Sequence, residues 1–193
     1  MRDLQLCADV DAKGMELRPV RIAVVLLALL AALVVPAVAR PADTTAHAGL
    51  TSLESGVLSQ LNRIRLAHHL APLRFSVRLE QAADAHSREM GDDGYFSHTS
   101  LDGTTYASRI AAWYPGAGYQ KWAVGENLLW SSPSVTADSA LQLWMRSPEH
   151  RANILTPAWR EIGIAAVHVD AAPGDFEGHD VTIITADFGV RTS

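Results

Sequence analysis

The chain has 193 residues with a formal net charge of −5, and 48% of its residues are hydrophobic. This length fits one ordinary domain rather than two, and the hydrophobic fraction is sufficient for a core. The sequence has no block rich in lysine and arginine, so it lacks the basic footprint of a nucleic-acid-binding protein, and nucleic acid is not expected as a partner.

The first recognisable segment is an uncharged apolar run of eighteen residues, 22–39, which follows Arg18 and Arg21 and ends in the triplet Ala-Val-Ala. A basic stretch, an apolar core and small residues at the cleavage positions are typical of a secretory signal. The alternative is an uncleaved anchor, because a run of this length reaches the lower limit for a transmembrane span. Pro36 and the polar segment behind it favour cleavage. We expect a secreted protein, extracellular or in the cell envelope, that contacts the membrane only if this segment is retained.

The start of the chain does not fit a signal pattern, because residues 1–14 place three acidic residues ahead of the basic Arg18 and Arg21. Met15 opens a conventional signal, so we predict that translation starts there in the cell. The predicted organisation is a leader and signal peptide at 1–39, a linker at 40–52 and a single domain at 53–193. The only cysteine, Cys7, falls in the leader. The domain should therefore be held together by packing alone, without disulfides.

The domain opens with helical patterns. Leu53, Val57, Leu61 and Ile64 recur at the spacing of one helix face, and the helix should end near His69 because Pro72 disfavours helical backbone in the residue before it. Ser76 is expected to cap a second helix, with Gly91 as its stop. The helix capped by Ser76 is predicted at 77–90. Two further helices are predicted at 104–113 and 133–146, and a short helix begins at Ser147-Pro148.

The chain ends with strand patterns. Segments 162–169 and 180–190 are rich in Val, Ile, Ala and Thr, and a turn at 173–175 separates them. This arrangement predicts an antiparallel hairpin. Helices followed by strands predict an α+β fold, most naturally a sandwich of helices and sheet.

Three polar residues stand out as site candidates. His98 lies on a polar loop, where a side chain can face a cleft. Glu126 enters an apolar, strand-like run, and a carboxylate that turns inward there must be paired or ligated. His150 is the third residue of a short helix, where the positive end of the helix dipole disfavours the imidazolium form. For each, local packing or exposure to solvent is the alternative. The other histidines are interpreted as surface or packing residues: His68, His69, His86, His168 and His179.

Two histidines and a glutamate match the ligands of an open zinc site, although no H-E-x-x-H motif is present. The usual signatures of other enzymes are missing as well: there is no G-x-S-x-G, no cysteine nucleophile in the domain and no glycine-rich phosphate loop. The triplet Asp187-Phe188-Gly189 is interpreted as the end of a strand. These features favour a binding role over catalysis without deciding between them.

The ordered motifs resemble the bacterial branch of the CAP superfamily, which comprises the cysteine-rich secretory proteins, antigen 5 and plant pathogenesis-related 1 proteins. The resemblance covers about residues 53–190. It rests on the following segments: LNRIRLAHHLAPLRFS at 61–76, FSHTS at 96–100, GENL at 125–128, Trp144, His150 with the residues through 155, EIGI at 161–164 and TADFGV at 185–190.

The resemblance implies a three-layer α-β-α sandwich with a central cleft. In many members two histidines and two glutamates line that cleft, and in some the histidines bind a divalent metal, often zinc. His98 and His150 match the histidines, and Glu126 matches the first glutamate. The second glutamate would fall near Ser147, so this chain lacks it there. Zinc at His98 and His150 is thus the cofactor that the resemblance implies, with weakened support.

The resemblance favours a secreted ligand-binding module whose cleft, with His98, Glu126 and His150, engages a small molecule, a lipid or a cell-envelope component. One alternative is a zinc-dependent hydrolase or peptidase that uses His98 and His150, in which the metal activates water. The other is an envelope-tethered structural domain, in which the three polar residues only stabilise the fold.

Overall fold

The computed structural model describes residues 6–11, as backbone, and residues 50–193. The predicted signal segment and the linker up to residue 49 lie outside the described residues, so both stay predictions. Within the described residues, no helix has the length and apolar character needed to cross a membrane.

Five helices and five strands make up the described part of the chain. The helices are α1 (Ser52–Ala67), α2 (Val77–Asp93), α3 (Tyr106–Trp113), α4 (Ala137–Arg146) and α5 (Pro148–Ile154). The strands are β1 (Leu6–Asp11), β2 (Arg74–Phe75), β3 (Lys121–Ser131), β4 (Glu161–Ala172) and β5 (His179–Thr192).

The strands form one sheet in the order β1-β3-β5-β4-β2. Neighbouring strands are antiparallel except β2, which pairs in parallel with β4. The predicted hairpin is confirmed as β4 and β5, joined by a short 3₁₀ turn at Gly174–Phe176. The central strand β5 is buried along most of its length, because helices cover both faces of the sheet.

Helices α1, α4 and α5 pack on one face of the sheet, and α2 and α3 on the other. Successive strand residues point to opposite faces. Leu129 accordingly joins the cluster that contains Trp144 of α4, whereas Leu128 joins the cluster that contains Met90 of α2. The predicted three-layer α-β-α sandwich is confirmed.

Side-chain caps fix where the first, third and fourth helices begin. Thr51 and Glu54 form a capping box, in which each side chain bonds the backbone N–H of the other residue at 3.3 and 2.7 Å. Thr105 accepts from the Ser108 N–H and Thr136 from the Ser139 N–H. These caps place the starts of α3 and α4 slightly later than predicted, because the cap residue itself is not helical.

The predicted stop of α2 at Gly91 is wrong. The helix continues to Asp93 and ends at Gly94, whose φ of 71° is the left-handed conformation that suits a helix C-terminus. Gly91 instead lies against the sheet, where an added Cβ would be 2.6 Å from the Val169 Cγ2 atom. A glycine in this place allows close packing rather than termination.

Strand β1 lies in the segment assigned above to the leader, and no strand was predicted there. Its backbone pairs with β3 over six residues without a register shift, from Leu6 opposite Leu129 to Asp11 opposite Val124. It occupies the edge of the sheet. This short segment has no clear strand pattern, and it precedes a signal-like run. For these two reasons it was assigned to the leader and not to the sheet.

Candidate functional site

The centre of the site is Glu126, which lies in the middle of β3 and is fully buried on the α2–α3 face. The His98 Nδ1 atom donates to Glu126 Oε1 at 2.6 Å, and Arg109 Nη2 donates to Oε2 at 2.8 Å. Because a carboxylate only accepts, His98 must carry its proton on Nδ1. The requirement that an inward-facing Glu126 be paired is thus met by one imidazole and one guanidinium.

Arg109, from α3, ties the loop that carries His98 to the same network. Its Nη1 atom donates to the His98 carbonyl oxygen at 2.9 Å and to Ser100 Oγ at 3.3 Å. One guanidinium therefore bonds the buried carboxylate and fixes the loop backbone. Sequence analysis missed this residue, because an arginine on a short amphipathic helix gives no sign that it turns inward.

A second buried carboxyl lies beside the first. Asp187 on β5 is the cross-strand partner of Glu126, so the two side chains share one face of the sheet. Burial raises the pKa of Asp187 well above its usual value, and the negative charge of Glu126 raises it further. Burial also opposes ionisation of Glu126, but the His98 hydrogen bond and the electrostatic influence of His86, Arg109 and His98 prevail and lower the pKa of Glu126. Glu126 is therefore the ionised member and Asp187 the protonated one.

His86 on α2 extends the network. Its Nε2 atom donates to the Ser97 carbonyl oxygen at 2.9 Å, and its Nδ1 atom lies 3.2 Å from Glu89 Oε2. The second contact becomes a hydrogen bond only when Nδ1 is also protonated, and burial lowers the pKa of His86, which disfavours that form. Interpreted above as a surface or packing residue, His86 is fully buried within the site. The spacing of His86 and Glu89, three residues apart on one helix face, was the available signal.

His150 lies on α5, in the opposite layer from His98. The predicted start of this helix is confirmed, with Ser147 as N-cap and Pro148 in the first turn. The Ser147 side chain makes no bond to the helix backbone; its Oγ atom is 2.6 Å from His150 Nδ1. Serine thus stands where the resemblance places the second glutamate, and it contacts the histidine through a hydroxyl group.

Asn127 joins His150 to the central strand. Alternation along β3 turns Glu126 to one layer and Asn127 to the other. The Asn127 Nδ2 atom donates to the His150 carbonyl oxygen at 3.2 Å, and Asn153 Nδ2 donates to Asn127 Oδ1 at 2.9 Å. In the described contacts, the His98 side chain bonds the Glu126 side chain, whereas His150 is bonded to β3 through its own backbone carbonyl.

The glycine of the G-E-N-L motif has a packing role. A Cβ atom on Gly125 would lie 2.9 Å from both Asn153 Oδ1 and Trp159 Cζ2, and both of these side chains are buried. The first three residues of the motif have separate roles: Gly125 allows α5 to pack closely, Glu126 bonds His98 and Arg109, and Asn127 bonds the His150 carbonyl oxygen.

We expect Gly125→Ala to lower the free energy of unfolding by about 1–3 kcal/mol, the usual cost of overpacking a tight core. Urea denaturation followed by tryptophan fluorescence measures it. Gly178→Ala makes a useful comparison for steric crowding, because nothing lies within 4 Å of a Cβ there, although its φ of 76° adds backbone strain. A Gly125→Ala variant as stable as wild type would show that α5 does not need this close approach.

The arrangement does not fit a three-ligand zinc centre. Imidazole is a good zinc ligand, but Nδ1 of His98 and of His150 is engaged by Glu126 and Ser147, so a metal would have to bind through Nε2. Both oxygens of Glu126 are committed to His98 and Arg109, so this carboxylate orients an imidazole. In the part of the chain that the structure describes, no three or more His, Cys, Asp or Glu side chains group to hold a metal ion. Zinc binding at His98 and His150 stays a prediction.

Arg65 fixes the end of the helix that carries His150. It is fully buried on α1, and its Nη1 atom donates to the carbonyl oxygens of Ile154 and Thr156 at 2.7 and 3.0 Å. Its Nε atom donates to the Ala71 carbonyl oxygen at 2.9 Å. Burial, together with the charge of Arg160, lowers the pKa of Arg65. A cation at the C-terminal end of α5 satisfies carbonyls that the helix leaves unbonded.

Arg65→Met should lower the free energy of unfolding by about 2 kcal/mol, because it leaves three carbonyl acceptors, including that of buried Ile154, without their donor while removing the cost of burying a charge. Thermal and urea unfolding measure the loss. Arg63 is an exposed arginine on the same helix, so Arg63→Met should change stability by less than about 0.5 kcal/mol. Equal effects of the two substitutions would show that the hydrogen bonds of Arg65 to the end of α5 do not stabilise the fold.

Solved structures share this architecture. An extracellular protein containing an SCP domain from Bacillus anthracis str. Ames is 28% identical with a TM-score of 0.51, over 72% of this chain and 44% of that one. An outer surface protein from Borrelia burgdorferi has a TM-score of 0.52 at 20% identity, over 70% of this chain and 90% of that one. The latter likeness shows the fold alone.

The chain is also similar in sequence to curated bacterial proteins. The Bacillus subtilis (strain 168) protein YkwD is 33% identical over 134 residues, 68% of this chain and 50% of its own length. The membrane protein YlbC of the same organism is 28% identical over 114 residues, 59% of this chain and 31% of its own length. The chain thus spans half or less of these relatives. The model of CAP, the Cysteine-rich secretory protein family, matches residues 58–185. With its fold, its G-E-N-L strand and its bacterial relatives, the chain belongs to the CAP family.

Proposed function

We propose that the protein is an extracellular ligand-binding module that engages a lipid or another cell-envelope component at the His98 site. The observation that carries the proposal is the buried network of Glu126, Arg109 and His98, with its short bonds of 2.6 and 2.8 Å. Buried ion pairs contribute little net stability compared with apolar packing, so a network of this kind is better explained by a need to hold one side chain in a fixed orientation.

The surroundings of His98 favour an amphiphilic ligand. Leu101, three residues along the same loop, has 67% of its surface exposed. On one loop, Leu101 offers an exposed apolar contact and His98 a fixed polar group that is itself only 8% exposed. Small-molecule sites combine these two elements, an apolar lining and a few oriented polar groups. A lipid with a polar headgroup has the matching chemistry.

An extracellular location is supported by the predicted signal segment and by one of the similar proteins. The Bacillus anthracis protein is described as extracellular. The absence from the sequence of a serine or cysteine nucleophile motif favours binding over covalent catalysis. A hydrolase would therefore need the metal that the described donor set does not fit.

The test is a binding titration of the full chain with vesicles of phosphatidylglycerol and phosphatidylethanolamine and with soluble cell-wall fragments. We expect saturable binding to one of them and a loss of at least tenfold in affinity for His98→Gln. His168→Gln is the matched control, because His168 is a half-exposed histidine on β4, away from Glu126. Circular dichroism of each variant establishes that it is folded.

Each other outcome identifies an alternative. No saturable binding, together with a lower melting temperature for His98→Gln, would replace the proposal with a structural role for the network. Stoichiometric zinc after metal loading, lost in a His98→Ala/His150→Ala double variant, would favour the metal-dependent hydrolase. Equal binding by His98→Gln and His168→Gln would move the ligand away from His98.

A further inference from the structure

We propose that the side of β3 opposite β5, from Val124 to Leu129, is a strand acceptor that binds an extended peptide by antiparallel strand addition, with Leu6–Asp11 as its occupant within the chain. This inference goes beyond the proposed function and does not depend on it. The acceptor is the backbone of β3, whereas the proposed lipid site is the His98 network.

The pairing itself is the first evidence. Six consecutive residues of β1 pair with six of β3, from Leu6 opposite Leu129 to Asp11 opposite Val124, with no bulge. On its other side β3 pairs with β5. Without β1, the edge of β3 would present a row of backbone N–H and C=O groups to solvent, the surface to which extended peptides add.

The acceptor strand is held rigid from both faces. On one face Glu126 is bonded to His98 and Arg109, and on the other Asn127 is bonded to Asn153 and to the His150 carbonyl. A strand fixed in this way needs little ordering when a peptide binds, which favours affinity.

Helix α5 lies beside the acceptor strand. It contacts β1 as well as β3, so a strand added at this edge also packs against the helix that carries His150. Asp9 lies opposite Glu126 and Ala8 opposite Asn127. An added peptide is thus centred on the two residues that organise the site.

The edge lacks two of the usual protections against strand addition, lysine and proline, although it carries the inward-pointing charge of Glu126. Proteins blunt exposed edges with lysine or proline on the edge strand. Residues 124–129 read VGENLL and contain neither. If residues 1–39 are absent from the exported protein, as the sequence predicts, β1 is absent too, and this edge of β3 is open to an extended segment of the same kind as Leu6–Asp11.

The test compares the wild-type full chain with an Ala8→Pro/Asp9→Pro variant. Two adjacent prolines remove the N–H from both edges of β1, so β1 cannot pair with β3. The probe is a fluorescein-labelled peptide of residues 6–11 carrying Cys7→Ser, followed by fluorescence anisotropy. We expect saturable binding by the proline variant and at least tenfold weaker binding by wild type, whose acceptor is occupied.

Backbone methylation of the probe identifies the binding mode without altering the protein. In an antiparallel pair, alternate N–H groups point to the partner strand. Of two probes, N-methylated at positions 6, 8 and 10 or at 7, 9 and 11, one should lose binding and the other should keep it. If both bind as well as the unmodified peptide, or if the proline variant binds no more tightly than wild type, the proposal is overturned.

Folding of the variant is controlled separately. Among the residues whose burial is described, the buried clusters are built from residues 57–190, and the prolines change none of these. If the double variant nevertheless fails to fold, Ala8→Pro and Asp9→Pro are tested singly. The one whose N–H faces β3 should bind the probe and the other should behave as wild type, whereas identical behaviour of the two would contradict strand pairing.

Discussion

Glu126→Gln is expected to lower the free energy of unfolding by about 3–5 kcal/mol at neutral pH, the cost of removing one partner from a buried ion pair. The substitution preserves shape but removes the charge that both Arg109 and His98 face. Arg109 then keeps a buried positive charge with no carboxylate opposite it, and an amide nitrogen replaces one of the two acceptor oxygens.

Urea denaturation at several pH values measures this loss. The pKa of Glu126 is lowered in the folded protein, so its contribution is fully present above the unfolded pKa and is lost as pH falls through the folded value. The difference between wild type and Glu126→Gln should therefore be largest near neutral pH and shrink in acid.

A surface ion pair provides the control for Glu126→Gln. Asp84→Asn disrupts the Asp84–Arg88 bond of 2.9 Å, in which the arginine side chain is 57% exposed. Exposed pairs contribute about 0–1 kcal/mol, so this variant should stay close to wild type. If Glu126→Gln costs no more than Asp84→Asn, the buried network does not stabilise the fold.

Much of the fold could be predicted because periodicity and caps act locally. The spacing of Val57 and Leu61 predicted α1, and the β-branched runs predicted the β4–β5 hairpin. Gly91 shows the limit of this reasoning. A glycine late in a helix indicates a stop as readily as a close contact, and only the position of Val169 on a distant strand decides between them.

The candidate site was predicted only in part, because some of its residues are brought together by pairing between distant parts of the chain. An inward-facing Glu126 had to have a partner, and His98 is that partner. Arg109 and Asp187 were missed because their importance depends on register and on helix placement. Asp187 reads as the end of a strand until β5 is aligned with β3, which sets it opposite Glu126. Serine stands at position 147, where the resemblance places the second glutamate, but another carboxyl, Asp187, is buried beside Glu126.

Asp187→Asn should remove a pH dependence of stability that the wild-type protein shows. The pKa of Asp187 is raised in the folded protein, first by burial and then by the charge of Glu126. A raised pKa stabilises the fold below the unfolded value, and that stability is lost as pH rises toward the folded value. Asparagine has no proton to lose, so the variant should gain on wild type by up to about 1.4 kcal/mol per pH unit across this window.

The measurement is urea denaturation of both proteins from acid to mildly alkaline pH. Asp92→Asn, an exposed aspartate on α2, should run parallel to wild type. A constant separation between wild type and Asp187→Asn would show that Asp187 titrates like an ordinary carboxyl. Placing Asp187→Asn in the Glu126→Gln background sharpens the test. Without the neighbouring negative charge, the pKa of Asp187 is raised less. The pH range over which Asp187→Asn gains stability relative to its parent should therefore be narrower. The pH range that disappears measures how strongly the two carboxyls interact across β3 and β5.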